Sequence, residues 1–393
     1  MRRRSPLPLI PLAFVTLACG NPTGGVPEVV LANHSSGGLS QRAPAPPTKP
    51  ASGDAARTAA ALARDNSAIR FGRTTPLPKK PGTIRLAEYN VENLFDDKDD
   101  PKLSGDFEDI KMTATPERLT ALAATIKSLD ADVLAVTEVE SKDALVWFRD
   151  GYLKGLGYDY VESIDAGDPR GIEQGVLSRI PIVGVENWPN EAIIDMKENR
   201  EGTGWATPSD GKWPKRWARS PLEVRLKAPD GYELTLLVVH HKASGKFDAQ
   251  RELEALQVRE IAMARLKKNP NENLAIVGDF NATPSKKSVK VYLETESPRL
   301  RSAYDQRFQK NAPSDTFITH VTNRPIDFII MSPGLFKDTV DESFFVLGTP
   351  LPPKGAPIDG PKPAGYASDH LPIAIDLRSD VRPRSDAPKG ARD

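Results

Sequence analysis

Apolar residues in this chain come in short runs that stop abruptly at polar residues, and these runs alternate with stretches of helical spacing. Thr83 to Asn90, Asp132 to Thr137, Leu222 to Leu226, Leu234 to Val239, Leu274 to Val277, Ile326 to Met331, Ser343 to Leu347 and Pro372 to Ile375 each have the length and β-branched character of a buried strand. Gly175 to Leu177 leads toward a further strand at Pro181–Val183. Between the runs, Thr115-Pro116 supplies a polar cap followed by proline at the first helical position. Leu119, Leu122, Ala123, Ile126 and Leu129 then recur at helical spacing, and Asp248 to Leu266 carries Leu253, Leu256, Ile261 and Leu266 near one face. Strands alternating with helices predict an α/β domain.

The pattern is absent at both ends. Residues 20–80 are rich in Pro, Ala, Gly and Ser and read as a disordered linker, and residues 379–393 as a disordered tail. That leaves residues 81–378 as one large domain. Many of the 36 prolines fall in the linker or after Lys337, so they mark loops and tethers. Residues 1–19 read as a cleaved export signal: Arg2-Arg3-Arg4 precedes a mostly apolar stretch from Leu7 to Ala18, too short to stay in a bilayer. Cys19 is the single cysteine, which excludes an intrachain disulfide and a thiolate zinc site. Its place after Thr16-Leu17-Ala18 resembles a bacterial lipoprotein signal, and that resemblance implies lipidation of Cys19. The expected location is therefore exported, either anchored in the cell envelope or extracellular. The membrane is expected as a partner only through that anchor, and no protein partner is evident.

Formal net charge is zero, so no global field draws the chain to nucleic acid. The candidate chemistry is local. Asn90, Glu138, His241, Asp279, Asn281, Asp327 and His370 all sit where apolar runs begin or end, where a rigid scaffold presents reactive groups. Gly278-Asp279-Phe280-Asn281 follows a buried strand, and Ser368-Asp369-His370 lies far along the chain. Acids, an amide and an imidazole are the parts needed to activate water against a phosphate ester. His240 and His241 are adjacent on a strand, so they point to opposite faces and one of them is expected to be structural.

These blocks, from Tyr89-Asn90-Val91-Glu92-Asn93-Leu94-Phe95-Asp96 to Ser368-Asp369-His370-Leu371-Pro372, resemble the endonuclease/exonuclease/phosphatase superfamily, of the DNase I and exonuclease III type. The resemblance implies a four-layered α/β sandwich, two packed mixed β-sheets flanked by helices. It also implies a divalent metal, usually Mg²⁺ with Mn²⁺ or Ca²⁺ as substitutes, held by Glu138 with Asn90 and Asp369. By the same resemblance Asp279 positions or deprotonates water and Asn281 supports the transition-state oxygens. His370 binds phosphate or transfers protons, Asp327 pairs with it, and His241 is the second histidine. His240 stands where the family usually has asparagine. Arg170, Arg219 and Lys242 are candidate phosphate contacts, because arginine suits phosphate through its fork of donors. Trp205, Trp213 and Trp217, interspersed with Lys212, Lys215 and Arg216, either stack bases or tuck onto the core.

The expected activity is metal-assisted hydrolysis of a phosphodiester, with DNA or RNA as the substrate. A phospholipid, inositol phosphate or other small phosphoester is the first alternative. A non-catalytic surface binding protein is the second.

Overall fold

The computed structural model describes residues 65–104, 109–193, 205–208, 210–294, 297–307, 317–357 and 359–379. The expected export signal, Cys19, the linker as far as Arg64 and the tail from Asp380 lie outside these residues.

Two sheets of six strands each form the interior. In the first, β1 (Thr83–Leu94) and β2 (Val133–Val139) run parallel and are joined through α1 (Pro116–Leu129). The sheet extends antiparallel from β2 to β4 (Glu173–Ser178) and β3 (Tyr160–Ser163), and from β1 to β12 (Ile373–Arg378) and β11 (Phe345–Val346). In the second, the order is β5 (Ile182–Asn187), β6 (Leu222–Lys227), β7 (Glu233–His240), β8 (Leu274–Asp279), β10 (Asp327–Met331) and β9 (Arg301–Ser302). Only β7 and β8 are parallel there, and α3 (Asp248–Lys268) crosses between them.

Strand periodicity sorts the side chains into layers. Ile84 and Leu86 of β1, Val133 and Ala135 of β2 and Val176 of β4 face the second sheet. Ala87, Tyr89, Leu134, Val136 and Leu177 face outward onto Leu122, Ile126 and Leu129 of α1 and Leu145 and Phe148 of α2 (Lys142–Tyr152). On the far side, α3 and α4 (Lys287–Leu293) pack on the second sheet through Ala255, Val258, Ala262, Val289 and Tyr292. Shorter helices α5 (Ala303–Arg307) and α6 (Pro333–Asp338) flank β10. The result is the expected sandwich of helices, sheet, sheet and helices.

Local chemistry accounts for the boundaries. The Thr115 oxygen accepts from the N–H of Arg118, Pro116 opens α1, and Asp130 closes it in the left-handed region at φ 50°. The sequence pattern did not reveal α2, whose buried residues are only Ala144, Leu145 and Phe148. At the end of β1 remote from the site, Arg85 is buried against Asp376 of β12, with Nε–Oδ1 at 2.6 Å and Nη2–Oδ2 at 3.1 Å. The carbonyls of Leu129 and Leu77 accept from Nη1 and Nη2, so four of its five N–H groups are bonded and the charge is paired.

The expected linker boundary at residue 80 is corrected. Residues 65–80 dock on the domain: the N–H of Asp65 bonds Ala364, the N–H of Leu351 bonds Ala68, and Arg73 bridges Leu347. Gly72, at φ 72°, lies so close to Gly348 that a Cβ would come within 2.8 Å of its nitrogen. This segment is polar and aperiodic, so its backbone pairing left no hydrophobic signal to read.

Candidate active site

The two parallel pairs end at the same edge of the sandwich. Asn90 closes the regular part of β1, Glu138 leaves β2 with φ 65°, His240 ends β7 and Asp279 ends β8. Asp279 pairs in register with His240 on one side and with Asp327, the first residue of β10, on the other. The 368–370 segment then folds over them, with the Ser368 hydroxyl donating to the Asn90 carbonyl (2.7 Å).

Asp279 is the hub. Its carboxylate accepts from Asn90 Nδ2 (3.2 Å), Asn281 Nδ2 (2.9 Å) and the Asn281 N–H (2.7 Å). His370 Nε2 and His240 Nε2 each lie 3.7 Å from its Oδ2. Burial pushes the Asp279 carboxyl up to about 7, against the pull of the His370 charge and with the help of Asp327. His370 Nδ1 lies 2.9 and 3.0 Å from the Asp327 oxygens. Burial disfavours charge on this ring, but Asp327 and Asp279 outweigh it and lift His370 well above the ordinary histidine value. His240 is the opposite case: burial and the Arg219 guanidinium hold it well below that value, and so neutral.

A cavity of about 480 Å³ opens over these groups, lined by Glu138, Arg170, His240, Asp279, Asn281, Asp369 and His370 among others. Arg170 reaches it from the loop before β4, its guanidinium bonded to Asn93 Oδ1 (2.6 Å). Among the described residues no acid pairs with Arg170 within salt-bridge distance. Burial resists ionisation of Asp369, but the hydrogen bond from His320 and the charge on His370 hold its carboxyl at about 2.

The structure corrects three expectations, those for His241, Asn281 and Lys242. His241 is not at the cavity. It turns to the helix layer, with Nε2 3.0 Å from the Tyr292 hydroxyl, its ring edge-on to Phe280 and Nδ1 3.5 Å from Glu254. His240 takes the site position instead, as alternation along β7 requires. Asn281 spends both amide hydrogens, on Asp279 and on the His241 carbonyl (3.0 Å), so it orients the acid and has none left for phosphate. Arg219, which lines the cavity as expected, is also paired with Asp168 and donates from Nη1 to the carbonyls of His240 and His241, bracing the end of β7. Lys242 places its ammonium 5.5 Å from the Phe247 ring centroid, outside the cavity lining. Of the tryptophans, Trp205 and Trp217 pack onto the core.

Sequence reasoning missed His320, Arg324 and Glu88. His320 and Arg324 line the cavity from a hairpin whose polar sequence looks like any loop. Glu88 is sealed in mid-strand with both carboxyl oxygens lacking a hydrogen-bond partner. Burial, with Asp327 and Asp279 nearby, raises it well above the usual carboxylate range. A glutamate inside an apolar run was the available signal.

The donor set fits a hard divalent cation. Glu138 and Asp369 supply carboxylate oxygens and Asn90 an amide oxygen. The Glu138 carboxylate accepts one hydrogen bond, from the N–H of Asn93 (3.1 Å), and keeps lone pairs for a ligand. Two compact groups of candidate ligands occur among the described residues, His320–Asp369–His370 and Asp279–Asp327–His370. Glu138 belongs to neither. The Asn90 oxygen already accepts from the N–H of Glu92 (2.9 Å), so one lone pair remains to it.

The two mixed sheets thus gather acids, amides and histidines at one edge of the sandwich. The sequence profile of the Endonuclease/Exonuclease/phosphatase family matches residues 85–347, and the chain belongs to that family. No curated protein matches it by sequence. Among solved structures it is similar to the human Nocturnin catalytic domain with bound sulfate anion, at 16% identity over 76% of this chain and 95% of that one, with a TM-score of 0.48. It is also similar to truncated Caenorhabditis elegans TDP2, at 14% identity over 76% and 98% of the two chains, with a TM-score of 0.47. A third is the Bacteroides thetaiotaomicron mannosyl-6-phosphatase, at 19% identity over 75% and 99%, with a TM-score of 0.45.

Proposed function

We propose that the chain is an exported, Mg²⁺-dependent phosphodiesterase whose substrate is nucleic acid. The observation that carries the reading is Asp279: a sealed carboxylate held by two amides, flanked by two histidines of opposite charge preference, with a pKa near neutrality. A general base works best when its pKa lies near the operating pH. Asp279 takes a proton from the attacking water, while Asn90 and Asn281 fix its orientation. His370, charged and backed by Asp327, gives a proton to the departing oxygen as the phosphorus–oxygen bond opens. His240, neutral, donates from Nε2 to a non-bridging oxygen, and Arg170 neutralises charge at the cavity wall. Mg²⁺ held by Glu138 and Asp369, with Asn90 beside them, would supply Lewis-acid stabilisation of the negative charge that develops. Export rests on the Arg2–Cys19 segment, with lipidation of Cys19 as its expected consequence.

A small phosphoester is the second reading, favoured by Lys242, which covers Phe247 and leaves a nucleic-acid path without one of its expected cations. The test is product release by the full chain from plasmid DNA, RNA and a chromogenic phosphodiester, with Mg²⁺ or EDTA, beside Asp279→Ala. Metal-dependent degradation of a polynucleotide that the variant lacks supports the nuclease. Cleavage of the chromogenic diester alone moves the substrate to small phosphoesters. Activity that survives in Asp279→Ala overturns the assignment of the base.

A further inference from the structure

We propose that the hairpin from His320 to Arg324 forms a second phosphate subsite, which binds a phosphate group next to the one being hydrolysed. This rests on the reading of the cavity as a phosphoesterase site and names a substrate class for it: molecules carrying adjacent phosphates.

The hairpin is tied to the catalytic segment. His320 bridges both Arg324 and His370, the N–H of Val321 bonds the Asp369 carbonyl (2.8 Å), and the N–H of Leu371 bonds the Thr319 carbonyl (2.6 Å). The His320 and His370 rings meet edge to face with centroids 4.6 Å apart. His370 is buried, His320 half-buried and Arg324 exposed, so the donors step outward from the reacting centre to the rim. The outermost donor therefore meets a part of the substrate that lies beyond the scissile phosphate.

The hydrogen bonds fix what each group offers. Arg324 Nε donates to the Thr322 hydroxyl (2.8 Å), and that hydroxyl lies 2.6 Å from His320 Nδ1. The Thr322 N–H also donates to Nδ1 (3.2 Å). Guanidinium and amide nitrogens only donate, so the hydroxyl accepts from Arg324 and passes its own proton toward Nδ1. The His320 proton then resides on Nε2, which faces Asp369 Oδ2 at 3.4 Å. An imidazole held this way is a hydrogen-bond donor toward the cavity. It is poorly suited to ligate a cation there, since a ligating histidine donates from its other nitrogen. Among the described residues no acid pairs with Arg324, and its terminal nitrogens remain for an anion, for which the guanidinium fork is matched.

The hairpin is also held from outside. Arg70, in the docked segment 65–80, donates from Nη2 to the Val321 carbonyl (2.9 Å) and from Nη1 to Asn323 Oδ1 (3.3 Å). Arg70 is thus a positioning residue for the subsite.

The test compares the full chain with Arg324→Gln and Arg70→Gln on a dinucleotide phosphorylated at both ends and on the same dinucleotide without terminal phosphates. The readout is the preference, the ratio of the two kcat/KM values. Loss of a charge-assisted fork lowers the preference by about tenfold in Arg324→Gln, expressed in KM rather than kcat. Arg70→Gln lowers it by about threefold with the same split. An unchanged preference, or an equal loss on both substrates, overturns the subsite. If the wild type hydrolyses neither dinucleotide, the activity reading fails, and calorimetry with inorganic pyrophosphate and phosphate decides the subsite separately. Tighter wild-type binding of pyrophosphate than of phosphate, with the difference lost in Arg324→Gln, sustains it. Equal binding of the two anions overturns it.

Discussion

His240 and His241 are neighbours in sequence with opposite surroundings, and substituting each by alanine separates catalysis from packing. His240 reaches the cavity, with Nε2 between Glu138 and Asp279, while its Nδ1 is buried without a partner. Removing a donor aimed at transition-state charge costs ~10²–10³ in kcat, roughly 3–4 kcal/mol of barrier. Stability should stay within about 1 kcal/mol of wild type, because the truncation also removes an unsatisfied nitrogen. His241→Ala acts on the other layer. It leaves the Tyr292 hydroxyl without its 3.0 Å partner and opens a hole beside Phe280, between β7 and the helices α3 and α4. Large-to-small core changes of this kind cost about 2–4 kcal/mol. For a domain of this size that lowers Tm by roughly 4–10 °C. Thermal melts followed by initial rates on the chromogenic diester, normalised to folded protein, measure both effects. A His241→Ala protein that melts like wild type yet loses a hundredfold in rate refutes the placement, as does a His240→Ala protein within threefold of wild-type rate.

Asp376→Asn strips the charge from a buried bidentate pair and leaves Arg85 uncompensated, so urea unfolding should show a loss of about 3–5 kcal/mol with per-molecule activity retained. Gly278→Ala should yield little folded protein in a solubility and circular-dichroism comparison. A Cβ there would sit 1.9 Å from the Val239 carbonyl oxygen, in a backbone at φ 143°. Asp279→Asn should stabilise the metal-free protein as pH rises. The native carboxyl holds its proton up to about 7 against an ordinary value of 3.8, so its stabilising contribution is complete below the lower value and lost through the higher. Melts of the two proteins in EDTA should nearly coincide near pH 4 and separate by pH 8 with the variant higher, and a wild type that gains on the variant over that range sinks the reading.

Much of the fold was legible because its central strands are apolar on both faces and its two longest helices carry a repeating apolar face. The strands β1, β2, β7, β8 and β10 and the helices α1 and α3 fall in this group. The helix α2 was hidden by a short buried stripe, and the docked 65–80 segment by its reliance on backbone hydrogen bonds. At the site, Asp279, Asp327, Glu138 and His370 could be named from their places at strand ends, and Asp369 from its place beside His370 together with the family resemblance. Direction could not. Two adjacent histidines are chemically identical in sequence, and only the pairing of β7 decides which one enters the cavity. The tasks of Asn281 and Arg219 turn on where their hydrogens go, which no spacing in the chain records.

The strand orders carry a consequence for how the centre is assembled. From opposite edges the sheets run β3-β4-β2-β1-β12-β11 and β9-β10-β8-β7-β6-β5, each with its parallel pair in the middle. Each strand of one matches a strand of the other if β11 and β12 are counted ahead of β1, as in a circularly permuted duplicate. Under that correspondence Asn90 matches His240 and, by the register of each parallel pair, Thr137 matches Asp279, with Glu138 one residue further along β2. The molecule is built like a dimer folded into one chain, with its cleft at the seam. The acids at the two seams sit one residue out of step and in different settings: the Glu138 side chain keeps 16% of its surface open, and Asp279 keeps 1%. Neither half holds a complete centre, and a repeat no longer readable in the residues survives in the order of the strands.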